Sequence, residues 1–196
     1  MKLPSNRPAR ADSFYLVESR DHAGGPTVKV GGSRKSGRRT WLYVEDEVRW
    51  IAPLRLAAGR NGRHVVHVDP SPASPGEWSE YPARLLRRVE HSLRIHGLTF
   101  SEISLFVLDI YYPAAPMMPP RALARHGQFV PGGILLAREL EKRTRGRVPV
   151  VFYSSKSHTE MSPAQLRRLL RPPGRYYLLK LSGGASGAAR WLSHLD

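Results

Sequence analysis

The chain has 196 residues, 41% hydrophobic and 24% charged, which is enough apolar sequence for one globular domain with an extension. It contains no cysteine, which excludes disulfides, thiol chemistry and cysteine-based zinc sites. Its formal net charge of +15 raises the question of a nucleic-acid or other anionic partner, which the placement of the charge must answer.

Residues 1–39 hold nine Lys/Arg against Asp12, Glu18 and Asp21, and are rich in Gly, Pro and Ser. They are expected to form a basic, partly disordered N-terminal extension and linker, with the globular domain at 40–196. Ser13–Glu18 and Thr27–Val30 are β-prone and are expected to make a short hairpin within the extension. Met1–Asn6 lacks the apolar stretch of a secretory signal, and no run is long enough to span a membrane. The cytoplasm is therefore the expected location.

From Thr40 onward, strand and helix patterns alternate. Thr40–Val44 is apolar and β-prone. Val48, Ile51, Leu54 and Ala58 follow at helical spacing, with Pro53 expected to kink or shorten that helix. His64–Val68 is the second strand. Ser74-Pro75-Gly76-Glu77 has the form of a capping box, and Trp78, Leu85, Val89, Leu93 and His96 continue at helical spacing to Gly97. Pro82 offers a second starting point for this helix. Ile103–Leu108 has no charged break, the pattern of a central strand buried on both faces.

A proline-rich loop from Tyr111 to Pro131 leads into Gly132-Gly133. The helix after it carries Ile134, Leu136, Ala137 and Leu140, and its basic end, Lys142, Arg143 and Arg145, suits the helix dipole. Val148–Tyr153 is the fourth strand. Ser162-Pro163-Ala164-Gln165 caps a helix with Leu166, Leu169 and Leu170 on its apolar stripe, and Pro172-Pro173-Gly174 ends it. Tyr176–Leu179 is the fifth strand, and Ala185, Ala188, Ala189, Leu192 and Leu195 form the apolar face of a last helix. Five β/α units imply an α/β fold with a parallel sheet.

The chemistry sits where the apolar runs stop. Glu45-Asp46-Glu47 follows the first strand, Asp109 the third, Ser154-Ser155 the fourth and Lys180 the fifth. In an open parallel sheet, ligands bind outside the carboxyl ends of the strands, so these groups are expected to converge. Two or three carboxylates make a hard-oxygen site of the kind Mg²⁺ takes, together with waters and a phosphate. A carboxylate can also accept a phosphoryl group as nucleophile, with an ammonium and a hydroxyl on the phosphoryl oxygens. Asp109, after the most buried strand, is the candidate nucleophile. Glu45 and Asp46 are the candidate metal ligands, and Ser154 and Lys180 the candidate phosphoryl contacts.

These residues, in this order, resemble the receiver domain of two-component response regulators. Four blocks carry the resemblance: WLYVEDE (Trp41–Glu47), SLFVLDIYYP (Ser104–Pro113), VPVVFYSS (Val148–Ser155) and YYLLK (Tyr176–Lys180). The resemblance implies a flavodoxin-like, doubly wound five-stranded parallel sheet in the order 2-1-3-4-5. It implies Mg²⁺-dependent transfer from a phosphohistidine of a histidine kinase or phosphotransfer protein to Asp109. The backbone carbonyl of Tyr111 would join Glu45, Asp46 and Asp109 around the metal. Ser154 and Tyr177 would act as switch residues, signalling to a downstream effector protein. Such a chain is a signalling domain, not an enzyme beyond gaining and losing its own phosphoryl group.

The chain departs from the family at several places. Leu181 stands where the family usually has a proline after the Lys, and Tyr111 and Lys156 flank the acceptor. The stretch 114–131 lengthens the path from Asp109 to Ser154. Taken singly, the acids suit a helix start, Asp109 a strand-end cap, Ser154-Ser155 a turn and Lys180 an ordinary strand end. Three other functions stay open: a degenerate receiver acting as a phosphorylation-independent binding module, nucleic-acid binding through the basic arm, and an Asp-nucleophile phosphatase. The phosphatase ranks last, because Tyr111 occupies the place of its second Asp. His67 and Asp69 share a strand face but are assigned no transition metal.

Overall fold

The structure is a computed structural model and describes residues 16–17, 39–71, 81–113, 129–155, 163–180 and 184–196. In chain order the elements begin with β1 (Leu16–Val17), β2 (Thr40–Val44), α1 (Val48–Arg60), β3 (His64–Val68) and α2 (Tyr81–Ile95). A 3₁₀ turn (Phe100–Glu102) precedes β4 (Ile103–Leu108), followed by β5 (Tyr112–Pro113), β6 (Phe129–Val130) and α3 (Gly132–Thr144). The chain closes with β7 (Val150–Ser154), α4 (Pro163–Leu170), β8 (Arg175–Leu179) and α5 (Ala185–Leu192).

The main sheet runs β3-β2-β4-β7-β8-β1, and every pair in it is parallel. Its five long strands keep the expected flavodoxin-like order, with β4 at the centre. Alternation along each strand sorts the core into two layers. Leu42, Val44, Phe106, Leu108 and Phe152 face α2 and α3. Trp41, Tyr43, Leu105, Val107, Val151 and Tyr153 face α1 and α5. All residues of β2 and β7 are buried, which explains why these strands read as unbroken apolar runs.

Three local features differ from expectation. Pro53 lies inside α1, which nevertheless runs its full thirteen residues. Pro53 and Arg49, whose carbonyl it leaves without a helical partner, are both on the exposed side, where water can serve that carbonyl. Leu16–Val17 pairs in parallel with Tyr177 and Leu178 as a sixth strand of the sheet, an addition the sequence pattern did not anticipate. Thr27–Val30, the expected hairpin partner, lies outside the described residues. The proline-rich loop has a structured base, because Tyr112 and Pro113 pair antiparallel with Val130 and Phe129. The capping box at 74–77, Ser162, Lys156 and Leu181 also lie outside the described residues. Helix α2 starts at Tyr81, with Pro82 in its first turn.

Among the described residues, no helix is long and apolar enough to cross a membrane.

Candidate functional site

Each strand of a parallel sheet delivers the residue after it to the same edge, and here the edge is held in register by main-chain bonds. The Glu45 N–H donates to the Val68 carbonyl, the Asp109 N–H to Val44 and the Lys180 N–H to Ser154 at 2.7 Å. Strand alternation also puts Glu45 with Tyr43, Asp109 with Val107 and Lys180 with Leu178, all on the α1/α5 side. Three side chains from three strands therefore meet.

The Lys180 ammonium lies 2.5 Å from Glu45 Oε2 and 2.9 Å from Asp109 Oδ2. Glu45 and Lys180 side chains are fully buried, and Asp109 is nearly so. The second oxygens are also engaged. Asp109 Oδ1 accepts the Ile110 N–H at 2.6 Å, and Glu45 Oε1 accepts the Glu47 N–H at 3.1 Å. The half-buried Asp46 completes the group: one carboxylate oxygen from each of Glu45, Asp46 and Asp109 lies within 4.8 Å of the others. With all groups ionised, one ammonium faces three carboxylates, leaving two negative charges for a divalent cation to neutralise. Hard oxygen donors in this number and charge fit Mg²⁺.

Electrostatics report the same excess. Burial pushes the Glu45 carboxyl from its ordinary 4.5 up to about 7, against the opposing pull of Lys180. Burial also raises Asp46, with the Asp109 charge adding to it. In metal-free buffer, folded Glu45 holds its proton more tightly than the unfolded chain does. Its contribution to stability is therefore fully present below pH 4.5 and is lost as pH rises through about 7. The expected loss is about 3 kcal/mol. Urea unfolding of the parent and Glu45→Gln across this range checks it: the parent must lose stability relative to the variant as pH rises.

The aromatic surroundings of the ammonium escaped the sequence reading. Tyr43 Oη donates to Glu45 Oε2 at 2.9 Å, and burial followed by the Glu45 charge raises the phenol so that it stays protonated. The Tyr153 and Trp50 rings lie 5.7 and 5.9 Å from Lys180 Nζ, at cation–π distance. Trp50 is itself tied by Nε1 to Glu47 Oε2 at 2.9 Å, so Glu47 positions an aromatic wall and does not join the carboxylate cluster. His67 Nε2 lies 2.8 Å from the Glu45 carbonyl and, as an N–H donor, buttresses the acidic strand end, while Asp69 is exposed. Tyr43 was available from the i, i+2 rule, since it shares a strand face with Glu45.

Ser154 ends β7 and is buried, and alternation places it with Phe152 on the opposite side from Lys180. Tyr177 is buried in the α2/α3 layer. Tyr111 is half-buried and packs against the same layer. Behind the acceptor, α3 begins with Gly132-Gly133, and the Gly133 N–H donates to the Ile110 carbonyl at 3.1 Å. A side chain there would strike the Asp109 carbonyl, because an ideal Cβ on Gly133 falls 1.8 Å from it. The two glycines are thus the contact between a helix start and the acceptor loop.

No protein-family model matches the chain, and no curated protein does. Solved structures resemble it in fold. A Vibrio cholerae chemotaxis protein, CheY4, has 11% identity and a TM-score of 0.47 over 82% of this chain and 100% of that one. A chain in the crystal structure of histidine kinase ThkA with response regulator TrrA has 14% identity and a TM-score of 0.45, covering 81% and 99%. The N-terminal domain of a response regulator receiver protein from Methanoculleus marisnigri has 16% identity and a TM-score of 0.42, covering 77% and 92%. At these identities and TM-scores the chain's function has to be argued from its own site.

Proposed function

We propose that the chain is a phosphoacceptor receiver in a phosphorelay. The observation that carries this reading is the buried Lys180 ammonium held between Glu45 and Asp109, with Asp46 beside them. Asp109 is the nucleophile. Its carboxylate oxygen forms a bond to phosphorus as the phosphorus–nitrogen bond of a kinase or phosphotransfer-protein phosphohistidine breaks, and the electron pair leaves with the imidazole. Glu45, Asp46, Asp109 and the Tyr111 carbonyl would hold Mg²⁺, which neutralises charge on the transferring group. Lys180 then exchanges its bond to the free carboxylate for one to the acyl phosphate, and Ser154 supplies a hydroxyl to the same oxygens. Relocation of Ser154, with Tyr177 beneath it, gives a local charge change a path to an effector-binding surface.

The test is incubation with Mg²⁺ and acetyl phosphate, read by intact mass. A labile phosphoryl adduct on the parent that is absent from Asp109→Asn is expected. Asp46→Asn is expected to weaken Mg²⁺ binding by about tenfold or more, from loss of one hard ligand of a site with few. Calorimetric titration of both proteins checks this. No adduct and no Mg²⁺ binding would sink the proposal and leave a phosphorylation-independent binding module.

A further inference from the structure

The same topology that gathers acids at one edge of the sheet gathers arginines at the other. Strands point their carboxyl ends to one edge, so the connecting helices finish at the opposite one. Glu45, Asp46, Glu47, Asp69 and Asp109 lie at the carboxyl edge. Arg60 and Arg94, in the last turns of α1 and α2, lie at the amino edge with Arg145, Arg147 and Arg171, and all five are exposed. The acids described at this edge offset them little. Asp196 is taken by Arg39 and Arg63 at 2.9 and 2.6 Å and Glu141 by Arg175 at 2.6 Å, which leaves Glu102.

A cleft of about 580 Å³ opens in this basic edge, between the starts of β2, β3 and β4 and the turn before β4. Its walls include Arg39, His64, His96, Leu98, Ser101 and Glu102. The His64 and His96 rings are 6.1 Å apart and tilted by 55°. His96 Nδ1 lies 2.8 Å from the Ser92 carbonyl, so it carries the proton and the ring is fixed in orientation. The cleft thus combines ring surfaces and polar groups able to meet a base edge, and it opens on an edge of the sheet that carries exposed arginines. Its volume admits one small organic group, not a double helix.

We infer that the amino edge binds single-stranded nucleic acid, with one unstacked base in the His64/His96 cleft and the backbone crossing the arginine rim. Two features favour this over an anionic membrane. The exposed cations on this edge are mostly arginine, with Lys142 among them, and the planar fork of arginine matches phosphate oxygens in pairs. The surface is also concave, and Ile95 is the one large apolar side chain among the described residues that is strongly exposed there. The cleft lies at the opposite edge of the sheet from the carboxylate site, so it stands or falls independently of the proposed phosphoryl transfer.

The experiment is fluorescence anisotropy of the full chain with a short labelled single-stranded RNA, over a series of salt concentrations. Binding that weakens steeply with salt is expected. Arg60→Glu with Arg94→Glu should weaken it by about tenfold or more and flatten the salt dependence, since phosphate contacts are lost. His96→Ala should weaken it by about tenfold with the salt dependence kept, since stacking is lost instead. Both sites are exposed, and circular dichroism checks that the variants are folded. Absence of binding overturns the inference, as does parental affinity in the variants, which would place binding on the arm. So does equal or tighter association with phosphatidylserine vesicles that the same variants abolish.

Discussion

Replacing Lys180 with methionine is expected to cost about 3–5 kcal/mol of stability at pH 8, the penalty for removing one partner of a buried charge group. The ammonium is the cation within 3 Å of both Glu45 and Asp109, and neither of these side chains has useful access to water. Methionine keeps the length and apolar character of the stem, so the loss is electrostatic and not a cavity. The direction with pH follows from Glu45. Its carboxyl, already raised to about 7 by burial, loses the opposing pull of Lys180 and rises further. Near pH 5 it is then protonated in the folded variant, and one of the three uncompensated charges disappears. The deficit must shrink on acidification, and adding Glu45→Gln to the variant must recover part of it at pH 8. Urea midpoints at the two pH values, with unchanged m-values, read this out. An equal deficit at both would mean that Lys180 serves packing alone. Millimolar Mg²⁺ should stabilise the variant at pH 8, as a replacement for the missing positive charge.

The part of this site that was legible in the sequence is the part that parallel topology dictates. Once Thr40–Val44, Ile103–Leu108 and Tyr176–Leu179 are parallel strands of one sheet, Glu45, Asp109 and Lys180 must arrive at one edge. The order of the five long strands came from the resemblance to receiver domains, not from the pattern itself. What was not legible depends on packing between elements. Tyr153 and Trp50 gave no sign of their place beside the ammonium, because hydropathy does not distinguish a ring that fills space from one that faces a cation. Leu16–Val17 carries no periodic signal in two residues, and its partner, β8, lies far along the chain. The β5–β6 ladder is hidden for the same reason, since Pro113 argues locally against a strand, although an edge position tolerates it. Pro53 argued locally against a continuous helix and lost to the burial of Leu54, Ala57 and Ala58 on the other face. Gly132-Gly133 read as a lead into a helix, and its true constraint is a neighbour more than twenty residues upstream.

That constraint gives the second large effect. Gly133→Ala is expected to destabilise the fold by about 3 kcal/mol, the upper end of ordinary overpacking. The added methyl would stand 1.8 Å from the Asp109 carbonyl oxygen and 2.9 Å from its carbon, and both are main-chain atoms that no rotamer change can move. Either α3 backs away from the sheet, which gives up the Gly133 N–H bond to Ile110, or the acceptor loop is displaced. Gly132→Ala meets side-chain atoms instead, Tyr112 Cδ2 at 2.5 Å and the Tyr81 hydroxyl at 2.8 Å, and rings can tilt where a main chain cannot. Its cost should be smaller, about 1–2 kcal/mol. Gly59, exposed in α1 with nothing within 4 Å of an added Cβ, supplies the control of opposite sign. Gly59→Ala should stabilise by about 0.5–1 kcal/mol, through helix propensity and a less flexible unfolded chain. Thermal and urea unfolding of the three variants should give that order. A Gly133→Ala protein as stable as its parent would mean that α3 does not rest on Asp109. Where the variant stays folded, the displaced loop should show as a weaker Mg²⁺-induced rise in Tm. Gly132→Ala and Gly59→Ala, which leave the Asp109 main chain untouched, should keep the parental rise.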